Sequence, residues 1–167
     1  MQRLLPAGLH RALYRVAYRL RGGLRRRFRI PIYGVSAILR DAEGRVLLVR
    51  HSYGPDSWAL PGGGHRRAED PELAVRLEIR EELGIGIEAL EAIATLQETI
   101  SGAPHTASLF AGIVTGEPRP DGREVIEARF FAYSEMPVLP DGPSRVRLDL
   151  WQAHLERQSS AGHSKES

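Results

Sequence analysis

With 167 residues, 42% of them hydrophobic, the chain can bury one core and is too short to argue comfortably for two domains. Cysteine is absent, which excludes a disulfide framework, a thiol nucleophile and any thiolate metal site, zinc fingers included. No run reaches the about 18 uncharged apolar residues of a spanning helix, and the first residues lack the apolar stretch of a secretory signal, so a soluble, cytoplasmic protein is expected.

The net charge of +2 joins two unlike regions. Residues 1–29 hold nine Arg and no Asp or Glu, whereas the remainder holds 14 Lys+Arg against 21 Asp+Glu, so +9 is followed by −7. The sequence divides accordingly into a basic N-terminal segment at 1–29, a domain at 30–157 and a polar tail at 158–167 that is expected to be disordered. The acidic body argues against a nucleic-acid surface spread over the core and assigns any anionic partner to the N-terminus.

Within the basic segment, Leu9, Leu13, Val16 and Leu20 recur at the helical period while Arg11, Arg15 and Arg19 take the other side, which predicts an amphipathic helix over 9–21 ended by Gly22-Gly23. Its arginine row suits peripheral contact with an anionic membrane, and its leucine stripe suits packing on the domain, on a partner protein or in a homodimer. A transit peptide fits the arginine content but not the lack of Ser and Thr. Binding of nucleic acid through residues 1–29 is a further alternative, although no nucleic-acid partner is expected for the domain.

From Ile32 the pattern shortens to β-like runs. Ile32–Arg40 and Arg45–Arg50, separated by Asp41-Ala42-Glu43-Gly44, predict a hairpin. Trp58-Ala59-Leu60-Pro61 then leads into Gly62-Gly63-Gly64, where missing side chains permit close approach of backbone and ligand. A helix over 71–83 has clear limits: Asp70 suits the N-cap, Pro71 the first helical position, and Gly84 the left-handed position past the end, with Ile85 folding back toward Ile79. Strands are expected near 88–100, 106–115 and 124–133, and a last helix over 144–157 with Val146, Leu150 and Ala153 on one face. This order predicts helices on both sides of a mixed sheet.

The helix at 71–83 breaks local rules. Glu78, Glu81 and Glu82 stand at i, i+3 and i+4, so like charges share one stripe, and two of them oppose the helix dipole in its last turn. Val75 and Ile79 flank the stripe on one side, Ala74 and Leu77 on the other, while Arg76 and Arg80 point away. The carboxylates therefore face the sheet or a cleft, where unpaired negative charge is costly without a cation. Oxygen-only donors suit a hard divalent ion, Mg²⁺ or Mn²⁺, that keeps positions open for substrate phosphates.

Gly63, Glu69, Glu78, Glu81, Glu82, Gly84 and Ile85 fall at the spacing of the signature box of the Nudix hydrolases, a family this sequence resembles, closely over the 23 residues of the box and more loosely over 32–157. The resemblance implies an α/β fold, the Nudix α/β/α sandwich with a mixed sheet, to which the N-terminal helix expected from its periodicity is an appendage. It further implies hydrolysis of a nucleoside diphosphate linked to another group, by water attacking phosphorus with divalent ions offsetting charge. Carried across by position, Glu78 and Glu82 are the principal metal ligands and catalytic acids, with Glu81 acting directly or through water. Glu69, Glu124 and Glu127 are the candidates for a base or an extra ligand. Gly62, Gly63, Gly64, Arg66 and Arg50 are candidates for binding a nucleotide-derived substrate, with His65, Arg67 and His51 nearby. Trp58 reads either as a stacking platform for a base or as core.

One departure is that Leu77 stands where the box has Arg, with Arg76 one place early. An arginine at 77 would reach Glu81 four residues on, whereas Arg76 projects about 100° away, which implies a less well held acidic cluster. A non-catalytic or weakly active nucleotide-binding module of the same fold is the alternative.

Overall fold

The computed structural model describes residues 31–163 apart from Gly54, Ser101 and Asp141. The helix expected over 9–21 therefore lies outside the described residues, as do residues 164–167. In chain order the elements are β1 (Ile32–Arg40), β2 (Val46–His51), β3 (Trp58–Ala59), β4 (Gly62–His65), α1 (Pro71–Leu83), β5 (Ile87–Ile100), β6 (Ala103–Val114), β7 (Val125–Phe131) and α2 (Pro143–His163), with a 3₁₀ turn at Tyr133–Glu135. The strands form one mixed sheet in the order β3-β2-β1-β6-β5, with β4 added on β1 and β7 on β2. β1 runs parallel to β6 from Ile32↔His105 to Arg40↔Ile113, and the other pairs are antiparallel.

Alternation along the strands feeds two cores. Val35, Ala37 and Leu39 of β1 and Leu47 and Val49 of β2 meet Val75, Ile79 and Leu83 of α1 on one face. Ile38, Val46, Leu48 and Leu109 meet Leu148 and Trp151 of α2 on the other. The two helices thus cover opposite faces, the α/β/α sandwich expected. Among the described residues no helix is long and apolar enough to cross a membrane.

The expected hairpin forms, with Asp41 accepting from the Arg45 N–H at 2.8 Å and Arg40 opposite Val46. Two short strands were not expected: β3, and the glycine segment itself, β4, which pairs with the first half of β1 from Tyr33↔His65 to Ser36↔Gly62. The last helix departs further from expectation. It runs to His163, six residues past the expected end, and its packed face is only partly that of Val146, Leu150 and Ala153: Val146 is 48% exposed and Leu150 packs on the core only partly buried, while Leu148 and Trp151 are buried. Arg147 explains the rotation. It is 2% exposed, and its guanidinium donates at 2.8 Å to Glu98 of β5, which His105 of β6 also meets at 3.1 Å. Drawing Arg147 onto the sheet turns the neighbouring Leu148 and Trp151 inward with it, and Trp151 lies under the Arg40 guanidinium at 5.0 Å.

Candidate active site

α1 begins and ends as its sequence dictates. The Asp70 carboxylate accepts from the Glu72 N–H at 2.9 Å, and Gly84, at φ 66°, donates its N–H to the Arg80 carbonyl. Two further terminal carbonyls are satisfied by a distant segment: the Asp121 N–H donates to the Glu82 carbonyl at 2.9 Å and the Arg119 N–H to the Leu83 carbonyl at 2.7 Å. The loop before β7 is thereby fastened to the acidic end of α1.

The acids do not behave alike. Glu82 is 5% exposed and its Oε2 has no hydrogen-bond partner among the described residues, Glu78 is half-buried, and Glu81 is exposed on the helix. The expectation of three inward carboxylates thus holds for two. Arg80 is exposed as expected, and Arg76 pairs with Glu72 and donates to the Ile87 carbonyl at 2.8 Å. Leu77, at the box arginine's position, is 48% exposed.

Glycine is required where Glu78 comes in. A Cβ on Gly63 would lie 2.5 Å from the Glu78 carboxyl carbon, and one on Gly62, at φ 154°, would strike the Val35 carbonyl. In this structure the close approach that the glycines permit is therefore to β1 and to Glu78.

Of the candidates from the later strands, Glu124 joins the cluster and Glu127 does not. A register shift in the β2–β7 pairing follows Arg50↔Glu127, after which the Ser52 N–H donates to the Glu124 carbonyl at 2.8 Å. Asp121 holds this turn, its Oδ1 accepting from the N–H groups of Arg123, Glu124 and Val125, each at 3.0 Å. The Tyr53 hydroxyl donates to Glu124 Oε2 at 3.4 Å. Glu127 instead pairs with Arg50 at 2.8 Å, and Arg50 also holds Asp56, so that arginine is engaged within the fold. Asp121 and Tyr53 were missed from sequence. Pro120-Asp121-Gly122 marks a turn, but nothing local shows that the turn closes on α1.

Electrostatics records the crowding. Burial, reinforced by Glu124, Glu81 and Glu69, pushes Glu78 up to about 7. Burial, reinforced by Glu78, Glu124, Asp121 and Glu81, pushes Glu82 up to about 8. Burial and the Glu124 charge hold the Tyr53 hydroxyl in its neutral form far above the ordinary range, and burial pushes His51 down. Among the described residues no group of three or more His, Asp or Glu side chains is drawn together closely enough to hold a metal ion. The donor set is nevertheless all oxygen, and a buried carboxylate oxygen without a partner fits a hard cation.

A cleft of about 1040 Å³ opens beside these acids, lined by Pro31, Ile32, Tyr33, Gly64 and residues His65 to Glu69 together with Glu78. Glu69 accepts from the Arg66 N–H at 3.0 Å, and the Arg66 and Arg67 side chains are exposed on the cleft. A separate pocket of about 300 Å³ lies beyond Tyr53, lined by the rings of His51, Tyr53 and Trp58 with Pro140 and Pro143. Trp58 is held edge-on to Phe131, ring centroids 4.9 Å apart.

Known proteins resemble both this arrangement and its sequence. An RNA pyrophosphohydrolase of Teredinibacter turnerae is 41% identical over 63 residues, 38% of this chain but only 37% of that relative. Among solved structures, a MutT NUDIX hydrolase from Burkholderia pseudomallei superposes with a TM-score of 0.64 at 28% identity over 72% of this chain and 98% of that one. A UDP-X diphosphatase superposes with a TM-score of 0.64 at 26% identity over 77% and 64%. A family profile described as NUDIX domain matches residues 31–152, from the start of the sheet well into α2, and the chain accordingly belongs to the NUDIX family.

Proposed function

We propose that the protein is a metal-dependent hydrolase that cleaves a diphosphate linkage in a nucleoside diphosphate derivative, acting in the cytoplasm through the domain at 30–157. The observation that carries this reading is the buried carboxylate of Glu82, crowded by Glu78 and Glu124 and left with an unpartnered oxygen. Such a group is expensive in a fold that has no use for it.

Glu78 and Glu82 would hold Mg²⁺ or Mn²⁺, with Glu81 reaching it directly or through water. An ion there supplies charge neutralisation on the diphosphate and a more acidic water. Gly63 lets the Glu78 side chain into the cluster, and Gly62 and Gly64 keep β4 against β1 at the edge of the cleft. Arg66 is assigned to the substrate phosphates, with Arg67 beside it. Arg50, engaged by Asp56 and Glu127, is better read as a support for the β2–β7 edge. For the base or extra ligand, the charge that Glu124 and Glu69 each place on Glu78 supports them over Glu127. The ring-lined pocket beyond Tyr53 has room for a planar group of the substrate.

The relatives named above act, by their names, on RNA and on UDP-X. A diphosphate is common to both, and this chain's substrate is proposed at that level. A nucleotide-binding module without turnover is the second reading, favoured by Leu77, which leaves Glu81 without an arginine partner on the helix. A panel of nucleoside triphosphates, nucleotide sugars, ADP-ribose and dinucleotides with Mg²⁺ and with Mn²⁺ decides between them. Hydrolysis lost in Glu82→Gln with the fold intact supports the hydrolase; tight binding without turnover supports the module.

A further inference from the structure

Helix α1 turns one side away from the sheet, and that side is not the wholly polar one its position calls for. Val75, Ile79 and Leu83 are buried in the core, whereas Leu73 and Leu77 are 64% and 48% exposed. Asp70 and Arg80, exposed as well, continue the line of the two leucines. At about 100° per residue, positions 70, 73, 77 and 80 fall within an arc of about 80°, opposite the buried side chains. Their spacing, three, four and three residues, is that of a seam between paired helices. Single surface leucines are ordinary; two on one seam leave a continuous apolar strip in water. Leu77 completes the strip at the position where the box has Arg.

The ends of the seam carry opposite charges. Arg80 forms no ion pair among the described residues, in contrast to Arg76, which Glu72 holds. Asp70 caps the helix with Oδ1, and its other oxygen has no partner among the described residues. The pattern is complementary to itself. Positions 73 and 77, and likewise 70 and 80, are symmetric about Val75. A two-fold axis beside Val75 therefore sets Leu73 across from Leu77 of a second, antiparallel α1. The same register sets Asp70 across from Arg80, and each contact is made twice. Parallel helices would instead set Asp70 on Asp70 and Arg80 on Arg80, with like charges opposed at both ends. Antiparallel packing also places the positive N-terminal end of each helix dipole beside the negative C-terminal end of the other.

We propose that α1 is an interface between two copies of this chain, held by Leu73 against Leu77 and by Asp70 against Arg80 about a two-fold axis. An occupant of this seam has to be apolar along its middle, cationic opposite Asp70 and anionic opposite Arg80, and the chain's own α1 supplies all three. Four leucines and four charges make a small contact, so the pair forms and dissociates with concentration. Glu78 and Glu82 point to the other side of the helix, and the interface does not depend on the chemistry assigned to them.

Sedimentation velocity of the full chain from about 5 to about 500 µM tests it. A reversible equilibrium between monomer and dimer is expected, and Leu73→Asp or Leu77→Asp raises its dissociation constant at least about tenfold. Both positions are exposed, so the fold survives the change, which circular dichroism checks. Arg80→Asp opposes like charges and weakens the dimer as well. Asp70→Ser keeps a helix cap while losing the charge, and weakens it by a smaller factor that added salt erases. Orientation is read with introduced cysteines, because the chain has none of its own. Leu73→Cys mixed with Leu77→Cys is expected to form a disulfide-linked dimer in oxidised glutathione faster than either variant alone. The proposal is overturned by a chain that stays monomeric at about 500 µM, or by a dimer that ignores all four substitutions and is therefore held by another surface. Faster linking of like cysteines, the mark of parallel helices, also overturns it. So does a monomer whose Leu73→Cys thiol resists maleimide at every concentration, which would assign the seam to residues of the same chain.

Discussion

Replacing Glu82 by Gln should make the metal-free protein more stable while removing its proposed chemistry. The folded protein raises Glu82 from 4.5 to about 8, so it binds a proton there more tightly than the unfolded chain does. The sign follows from that difference. Below pH 4.5 both states are protonated and Glu82 costs nothing; as pH rises the unfolded chain ionises first, and stability declines until the folded carboxyl ionises near pH 8. Between pH 4.5 and pH 7, at about 1.4 kcal/mol per pH unit, the decline amounts to about 3 kcal/mol. A glutamine has no proton to take up, but its amide inherits the unpartnered site of Glu82 Oε2 at a cost of about 1–2 kcal/mol. The net expectation at pH 7 in EDTA is a gain of about 1–2 kcal/mol for Glu82→Gln, which shrinks as pH falls and reverses to a loss of about 1–2 kcal/mol near pH 4.5, where only the amide's cost is left. Urea unfolding of both proteins at half-unit steps from pH 4.5 to 8 measures it. Parallel stability curves, or a variant weaker than the wild type at pH 7, would refute the argument that the buried carboxylate is an uncompensated charge.

Three further outcomes are expected. Glu124→Gln should lower kcat by about 10²–10⁴, the range for a positioned general base, whereas Glu127→Gln, which only releases Arg50, should leave kcat within a few fold; equal losses in steady-state assays would undo the distinction drawn between them. Gly63→Ala puts a methyl 2.5 Å from the Glu78 carboxyl carbon and should cost about 1–3 kcal/mol of stability by thermal or urea unfolding, with a weaker metal response. Leu77→Arg restores an i, i+4 partner to Glu81 from an exposed position and should lower the Mg²⁺ concentration needed for half-maximal hydrolysis; an unchanged or higher requirement would show that the missing arginine does not loosen the cluster.

The parts of this molecule that could be read in advance are those fixed by nearest neighbours. α1 was legible to its ends because Asp70, Pro71 and Gly84 act within one turn, and its inward acids were legible because helical spacing sets their direction. β4 was not, since glycines have little strand preference of their own and Gly62–His65 is a strand only because β1 pairs with it. Choosing Glu124 over Glu127 required a register shift between Arg50 and His51, which leaves no local trace, and the closing of the Asp121 turn on α1, which Pro120-Asp121-Gly122 alone does not reveal. The packed face of α2 was read only in part because periodicity counts apolar residues, and here a buried arginine, paired with Glu98 from 49 positions away, decides the rotation.

Calorimetric titration of Mn²⁺ into the full chain at pH 7, in two buffers of different ionisation enthalpy, bears most directly on the acidic cluster. If Glu78 and Glu82 receive the ion, binding is seen, protons held at about 7 and about 8 are released with it, and Glu82→Gln loses both signals. An absence of uptake, with and without a nucleoside diphosphate present, would contradict the proposal that these carboxylates are gathered around a cation.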